Sequence, residues 1–278
     1  MLTGEGPGAG VVREGKPFMT LLQAVAMGTV QGLAEFLPIS SSAHLVLVPW
    51  FSGWPDPGLA FDVALHMGTL LAVVAYFWRD WLRLIALGLS RPASGEGKLF
   101  WLLVAATIPG GVFGYLLEKQ AETTFRSPFL VALMLMAMGL ALYLADTRFP
   151  RHKELSGTGW TDALWIGAAQ ALAIVPGVSR SGITMAAARV RNLSREAAAR
   201  FSFLLSTPII LGAGALELRH LSPTDLNSVF WVGVGSSAVV GFLAIRFLLC
   251  YLVNHNFNVF IWYRFLLGVV IVLAALNR

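Results

Sequence analysis

The stretch QGLAEFLPISSSAHL, residues 31–45, decides how the whole chain is organised. It lies inside an apolar segment that begins near Met19, yet it contains a carboxylate, a proline, three consecutive serines and a histidine. Proline interrupts a helix because it lacks a backbone N–H and its ring clashes with the preceding turn. The sequence therefore predicts a helix over about Thr20–Leu37, a break at Pro38 and a short second helix over Ser42–Trp50.

The composition around this stretch is that of a membrane protein. Of the 278 residues, 56% are hydrophobic and only 13% are charged, and the mean hydropathy is +0.71. Soluble domains usually have about a quarter of their residues charged. Six runs approach or exceed the roughly 18 apolar residues that span a bilayer as a helix, and none alternates as barrel strands do. The predicted fold class is an all-α polytopic membrane protein. The runs are Phe61–Trp78, Leu99–Leu117, Pro128–Ala145, Phe201–Leu218, Ser228–Leu249 and Val259–Leu276.

The remaining features of the composition carry less information. Residues 1–18 are glycine-rich without the apolar core of a signal peptide, so we expect a flexible tail ahead of a single membrane domain over residues 19–278. The net charge of +5 reflects basic loops and does not indicate a nucleic-acid partner, because no soluble basic domain is present. The only cysteine, Cys250, excludes an intrachain disulfide and a cysteine metal site.

The opening stretch has a counterpart, QALAIVPGVSRSGIT, which begins at Gln170. An ungapped alignment at an offset of 139 residues, half the chain, indicates an internal repeat. The matched pairs are Gln31 with Gln170, Leu33 with Leu172, Ala34 with Ala173, Ser40 with Ser179 and Ser42 with Ser181.

The second stretch is also interrupted, by Pro176 and Gly177, between Trp160–Val175 and Ser181–Arg191. The short pieces cannot cross about 30 Å at 1.5 Å per residue, so each stretch is predicted to form a re-entrant helix hairpin. Each half, about residues 19–150 and 158–278, then has one hairpin and three spans. Because three is odd, the second half starts on the opposite side, and the repeat is predicted to be inverted.

Loop charges predict the orientation. We call the side of the N-terminus side A and the opposite side side B. Nearly twice as many Lys and Arg residues fall on side B as on side A. By the positive-inside rule, side B is cytoplasmic, and the base of the first hairpin faces outward.

The first hairpin carries candidate catalytic residues. Gln31 and Glu35 are four residues apart and share one helix face, and a carboxylate at membrane depth is costly unless it is paired or metal-bound. His44 lies within one turn of Ser40 and Ser41, so its imidazole can approach a serine hydroxyl and activate it. The alternatives are that Glu35 is a capping or interfacial residue, that the serines Ser40–Ser42 only cap a helix, and that the histidine is structural.

The second hairpin supplies a positive charge. Arg180 places a guanidinium at membrane depth, which bidentate phosphate binding would explain. Ser179, Ser181 and Thr184 add hydroxyl donors. The alternative is that Arg180 is structural and binds carbonyls of the opposite hairpin.

If the two tips meet, their helix N-termini and Arg180 form a site for a polyanion. A carboxylate beside a polyanion requires a cation between them, so Glu35 is predicted to hold Mg²⁺ or Ca²⁺. Asp62 and His66, at the start of a span, are expected to mark the membrane interface rather than to line the site.

The two motifs, QGLAEFLPISSSAHL and PGVSRSGIT, resemble the signatures of the undecaprenyl-pyrophosphate phosphatase family, also called BacA or UppP. The similarity runs from about Leu21 and includes FDVALHMGTLLAVVAYFWRDW and REAAARFSFLLSTPIILGAG. It implies a bacterial inner-membrane enzyme with re-entrant hairpins in an inverted repeat. Such an enzyme depends on a divalent cation, recycles the lipid carrier of peptidoglycan synthesis and affects bacitracin sensitivity.

The resemblance also implies roles for individual residues. Glu35, Ser41, His44 and Arg180 would be catalytic, with Glu35 also the metal ligand. Gln31 stands where some family members have glutamate. Because its side chain is an amide, it cannot supply a second carboxylate. The residues implied in substrate binding are Gln31, Ser40, Ser42, Ser179, Ser181 and Thr184.

Three functions compete at this point. In a phosphatase, either Ser41 or His44 attacks the terminal phosphorus, and the prenyl tail leaves between spans into lipid. A secondary transporter or lipid flippase would use the same inverted-repeat site, and a scaffold would leave Glu35 and Arg180 unexplained. The expected partners are a polyprenyl pyrophosphate and membrane lipid, with a homodimer left open. The site is expected to open to the extracytoplasmic side.

Overall fold

The structure is a computed structural model, and it describes residues 19–55, 57–117, 120, 125, 127–217 and 221–277. The expected N-terminal tail, residues 1–18, lies outside this part of the chain. Ten helices of more than one turn form in the described residues. They are α1 Leu21–Phe36, α2 Ser41–Ser52, α3 Leu59–Ser90, α4 Gly95–Leu116, α5 Pro128–Arg148, α6 Trp160–Gln170, α7 Arg180–Val190, α8 Arg195–Glu217, α9 Ser228–Asn254 and α10 Asn258–Leu276.

Six of these helices, α3, α4, α5, α8, α9 and α10, are long and apolar enough to cross a membrane. They coincide with the six predicted runs, and the predicted all-α polytopic membrane fold is confirmed. Several helices extend beyond their apolar runs, most of all α3, which does not end at Trp78 but continues to Ser90 past a distortion at Phe77. The apolar run stops at the charged residues Arg79 and Asp80, but the helix continues through them, and Asp80 forms an ion pair with Arg200 of α8.

The two short helix pairs flank the interruptions that the sequence predicted. Helix α1 ends at Phe36 and α2 begins at Ser41, while α6 continues as a 3₁₀ turn over Ala171–Ile174 before α7 begins at Arg180. These four helices have 16, 12, 11 and 11 residues. At 1.5 Å per residue, none except α1 approaches the thickness of the hydrocarbon core.

The two hairpins have the same backbone at equivalent positions. Ser40 and Ser179, which the repeat aligns, both precede a helix with positive φ, 78° and 72°. Among the described residues, Asn192 is the only other non-glycine residue with positive φ. Because a positive φ is unfavourable for residues with a Cβ, its occurrence at both aligned positions is compatible with a structural repeat in inverted orientation.

The halves pack against each other through close helix contacts. Helix α1 lies against α9, where a Cβ added at Gly32 would be 2.7 Å from the backbone nitrogen of Gly241. The Phe36 ring of α1 packs edge-on against Phe203 of α8, with centroids 5.4 Å apart. On side B, the Asp146 carboxylate of α5 accepts from Arg189 and Arg195, so it ties α5 to the start of α8. These contacts hold the hairpin tips in place between the spans.

Candidate active site

The tips of the two hairpins touch. The Gly177 amide donates to the Ser40 hydroxyl at 3.2 Å, and the Ser181 hydroxyl donates to the Leu37 carbonyl at 3.1 Å. The condition for the predicted polyanion site, that the two hairpin tips meet, is therefore fulfilled. The first turns of α2 and α7, with their free N–H groups, come to one place.

Glu35 is the centre of the resulting cluster. Its Oε1 atom accepts from Arg180 Nη2 at 2.9 Å, and its Oε2 atom accepts from the Ser41 hydroxyl at 2.7 Å and from Gln31 Nε2 at 3.1 Å. The Glu35 side chain is only 7% exposed and that of Arg180 12%. A buried carboxylate needs such partners because leaving it unpaired is costly. Four candidate residues from both halves thus form one connected group.

Arg180 is oriented from its other side by α8. Its Nη1 atom donates to the Ser202 carbonyl at 3.0 Å, while its Nε atom has no partner among the described residues. The Thr184 hydroxyl lies 2.7 Å from that of Ser202 and donates to the Arg180 carbonyl. Thr184 therefore supports Arg180, whose guanidinium is held between Glu35 and α8.

The serines next to this cluster have two roles, since one caps a helix and another accepts a hydrogen bond from the opposite hairpin. The Ser179 hydroxyl caps α7 by accepting from the Gly182 amide at 3.1 Å, and it lies 3.2 Å from that of Ser181. Ser40 makes no side-chain cap bond, so the alternative that it only caps a helix is wrong; its hydroxyl accepts from Gly177 across the hairpins. The Ser40 and Ser42 hydroxyls are 3.3 Å apart.

His44 does not pair with a serine hydroxyl, contrary to the sequence-based expectation. Its Nδ1 atom lies 2.7 Å from the Ser40 carbonyl, which can only accept, so Nδ1 carries the proton. Its Nε2 atom then accepts from the Tyr263 hydroxyl at 2.6 Å, and the two rings stack with centroids 5.7 Å apart. The hydroxyl of Ser41 faces Glu35 instead.

The polar cluster forms one end of a cavity of about 950 Å³. Glu35, Ser41, Ser42, Ser179 and Arg180 line it. The other walls are the end of α2, the start of α3 and the C-terminal ends of α4 and α8, all on side A. Asp62 and His66 also line the cavity, so the expectation that they only mark the interface was wrong.

The oxygen atoms around Glu35 suit a hard cation in part. Among the described residues, no group of three His, Cys, Asp or Glu side chains could hold a metal ion. However, the Oε1 atom of Gln31 is buried without a hydrogen-bond partner in the part of the chain that the structure describes. It belongs to the amide that bonds Glu35. One carboxylate, an amide oxygen and a hydroxyl fit Mg²⁺ or Ca²⁺ when phosphate oxygens complete the coordination.

Sequence reasoning missed the residue that joins the two tips. Arg264 of α10 is fully buried and donates to Pro38 of the first hairpin at 2.9 Å. It also donates to Gly177 and Val178 of the second, at 2.6 and 2.9 Å, and to Leu135 of α5 at 3.1 Å. It is this arginine, rather than Arg180, that binds hairpin carbonyls. A charge inside an apolar span was the available signal.

Comparison with known proteins gives a consistent result. The model of the family described as bacitracin resistance protein BacA matches residues 24–270. A protein of Moorella thermoacetica named undecaprenyl-diphosphatase is 58% identical over 254 residues, which cover 91% of this chain and 97% of that protein. Another of that name from Pelotomaculum thermopropionicum is 57% identical over 260 residues, covering 94% and 98%. A third, from Geobacter sulfurreducens, is 46% identical over 259 residues, covering 90% and 96%. The chain therefore belongs to the bacitracin resistance protein BacA family.

Proposed function

We propose that this protein is a membrane phosphatase that hydrolyses undecaprenyl diphosphate to undecaprenyl phosphate and inorganic phosphate. The observation that carries the proposal is the bonded group of Glu35, Ser41 and Arg180 at the polar end of a membrane cavity. The names of the relatives support it. They give no support to a transporter or flippase. In a bacterium this reaction would recycle the lipid carrier for peptidoglycan synthesis at the inner membrane.

The geometry favours Ser41 over His44 as the nucleophile. The Ser41 hydroxyl lines the cavity and already donates to Glu35, whereas both nitrogens of His44 are engaged elsewhere. Ser41 Oγ attacks the terminal phosphorus and its proton passes to Glu35, which returns it to the departing undecaprenyl phosphate. Glu35 then takes a proton from the water that attacks the phosphoserine. As the bond between phosphorus and Ser41 Oγ breaks and inorganic phosphate is released, Glu35 gives this proton to Ser41 Oγ.

The remaining residues position the diphosphate. Arg180 exchanges its bond to Glu35 for the phosphate oxygens, and the N-termini of α2 and α7 add N–H donors. Such positioning and charge stabilisation are the main demands of phosphoryl transfer. A Mg²⁺ or Ca²⁺ ion held by Glu35 and Gln31 would supply further positive charge next to the phosphate oxygens. Ser42 and Ser179 line the same cavity as further hydroxyl groups, whereas the Ser181 hydroxyl donates to the Leu37 carbonyl and joins the two tips.

The test is phosphate release from undecaprenyl diphosphate by the purified protein in detergent, with Mg²⁺, with Ca²⁺ and with EDTA. We expect release by the wild type with a metal, and a loss of roughly a thousandfold or more in Ser41→Ala. The matched control is Ser90→Ala, because Ser90 is exposed and bonds only its own helix. Release in EDTA equal to that in Mg²⁺ would remove the cation from the proposal.

The nucleophile is identified by trapping the phosphorylated protein in acid after reaction with substrate labelled in the terminal phosphate. An acid-stable phosphoserine absent from Ser41→Ala is the expected result. An acid-labile adduct that is lost in His44→Ala and kept in Ser41→Ala would assign the attack to His44 instead.

A further inference from the structure

The cavity has a second part beyond the polar cluster. Towards side A its walls are the C-terminal ends of α4 and α8, which contribute a group of glycines rather than large side chains. The four that matter are Gly111, Gly114, Gly212 and Gly214.

These glycines border empty space. A Cβ added at any of the four would meet no atom within 4 Å in the part of the chain that the structure describes. A glycine inside a helix costs about 1 kcal/mol relative to alanine. Glycines in membrane helices usually let another helix approach closely, and here no helix does so. The helices therefore keep an open space at a cost in helix stability.

The space continues to the outer surface. All residues from 111 to 117 and from 211 to 217 are exposed or half-buried. Tyr115 of α4 is 61% exposed and Leu211 of α8 is 57% exposed. Neither stretch therefore contributes a fully buried residue to the described structure. The gap between them leads from the cavity to the surface of the described structure.

Gln170 marks the point where the polar part of the cavity ends. Its side chain is 3% exposed and lines the cavity, and its Oε1 atom has no partner among the described residues. Gly110 makes room for it, because a Cβ there would be 2.7 Å from Gln170 Nε2. A buried amide oxygen without a donor indicates a bound water molecule, or a ligand that brings a water molecule or a cation with it. A ligand with a hydrated charged head and an apolar chain fits both parts.

We propose that the gap between the C-terminal ends of α4 and α8 is the binding site through which the polyprenyl chain of the substrate leaves the cavity. This inference rests on the proposed function. A cavity of about 950 Å³ is the size of sites for drug-sized ligands. It holds the diphosphate and the first isoprene units, and the rest of an undecaprenyl chain passes between the glycines into lipid.

Filling the gap tests the proposal. Gly114→Leu and Gly212→Leu should raise KM for undecaprenyl diphosphate about tenfold, as small steric changes in apolar pockets do. They should change KM for farnesyl diphosphate little, since its short chain stays inside. The control is Gly235→Leu in α9, which is exposed, faces open space and does not line the cavity. An equal effect on both substrates, or none on either, would overturn the proposal.

A second measurement does not depend on activity. In a Cys250→Ser background, Gly114→Cys and Gly235→Cys are labelled with a thiol reagent, with and without undecaprenyl phosphate. We expect the lipid to slow labelling at position 114 and to leave the rate at position 235 unchanged. An equal effect of the lipid on the two rates would contradict the proposed exit. If the wild type hydrolyses neither diphosphate while protection persists, the phosphatase proposal fails and the lipid site stands.

Discussion

Arg264 shows how a single residue can fix the geometry of the site without contacting it. Its guanidinium donates to carbonyls of both hairpin tips and of α5. The carbonyls of Pro38, Gly177 and Val178 belong to irregular backbone, which has no helical partner at membrane depth and must be satisfied by protein. We regard Arg264 as a positioning residue, since it holds the backbone that carries Ser41 and Arg180.

Replacing Arg264 should destabilise the fold more than replacing an exposed arginine. In Arg264→Met, buried carbonyls lose their donor, and each such group costs about 1–3 kcal/mol. We expect the free energy of unfolding, measured by thermal unfolding in detergent, to fall by several kcal/mol. Arg246→Met is the control, because Arg246 is an exposed arginine of a neighbouring span. Equal melting temperatures for the two variants would show that the link between the tips contributes little.

Gln31 sets the strength of the proposed cation site. Its amide lies beside Glu35 with a free Oε1 atom, and it supplies no charge. Gln31→Glu adds a second carboxylate, so the Mg²⁺ concentration that gives half-maximal phosphate release should fall by about tenfold. Without metal, two adjacent carboxylates repel, and the variant should melt at a lower temperature in EDTA. An unchanged Mg²⁺ dependence would place the cation elsewhere.

At the scale of elements, the hairpins depend on an unusual backbone. Ser179 has a φ of 72° and a ψ of 115°, and its hydroxyl caps α7. Glycine tolerates a positive φ better than residues with a Cβ, and a sparsely populated conformation costs other residues about 1–3 kcal/mol. Ser179→Gly should therefore be more stable than Ser179→Ala, which loses the cap and keeps the strain. Thermal unfolding of the two variants measures the difference, and a more stable alanine variant would contradict the strain.

The elements themselves were predictable because their signals are local. Apolar length identifies a span, and Pro38 or Pro176 identifies a break. Apolar length did not predict the extension of α3, because the apolar run stops at Arg79 and Asp80 while the helix continues to Ser90. The candidate residues of the two hairpins lie together in the structure, but the sequence did not predict how they pair. The partner of His44 is Tyr263, 219 residues further on, and local spacing cannot show such a contact.

The base of the second hairpin is held by a buried carboxylate at the start of α6. Burial raises the pKa of Asp162, but hydrogen bonds from the Gly159 amide, Lys153 and Arg191 outweigh this effect and lower the pKa below its usual value. A lowered pKa in the folded state means that the ionised carboxylate stabilises the fold. This stabilisation is complete above the unfolded-state pKa of about 3.9 and is lost as the pH falls through the folded-state value.

The comparison of wild type with Asp162→Asn tests this dependence. At neutral pH the wild type should be more stable by about 2 kcal/mol, the size of hydrogen bonds to a charged group. The difference should shrink as the pH is lowered below about 4. Glu96→Gln is the control, since the pair of Glu96 with Arg83 is exposed and such pairs contribute little. A difference that is constant from neutral to acid pH would exclude ionisation as its cause.

At the scale of the whole molecule, the cavity lies towards side A of the described structure. Its lining includes the ends of α4 and α8 and the start of α3, all on that side. The basic residues concentrate on side B, where Arg195 and Arg189 bind Asp146. The positive-inside rule predicts that side A, and with it the mouth of the cavity, is extracytoplasmic. A diphosphate released outside the cytoplasm would reach Arg180 without crossing the membrane.

The orientation is measured with single cysteines in a Cys250→Ser background. Ser52 ends α2 on side A, and Ala93 lies in the exposed turn between α3 and α4 on side B. A membrane-impermeant thiol reagent applied to intact cells should label Ser52→Cys, while Ala93→Cys should react only after the cells are opened. The opposite pattern would put the cavity mouth in the cytoplasm. The enzyme would then act on diphosphate lipid made inside the cell, and the charge bias between the loops would not be what sets its topology.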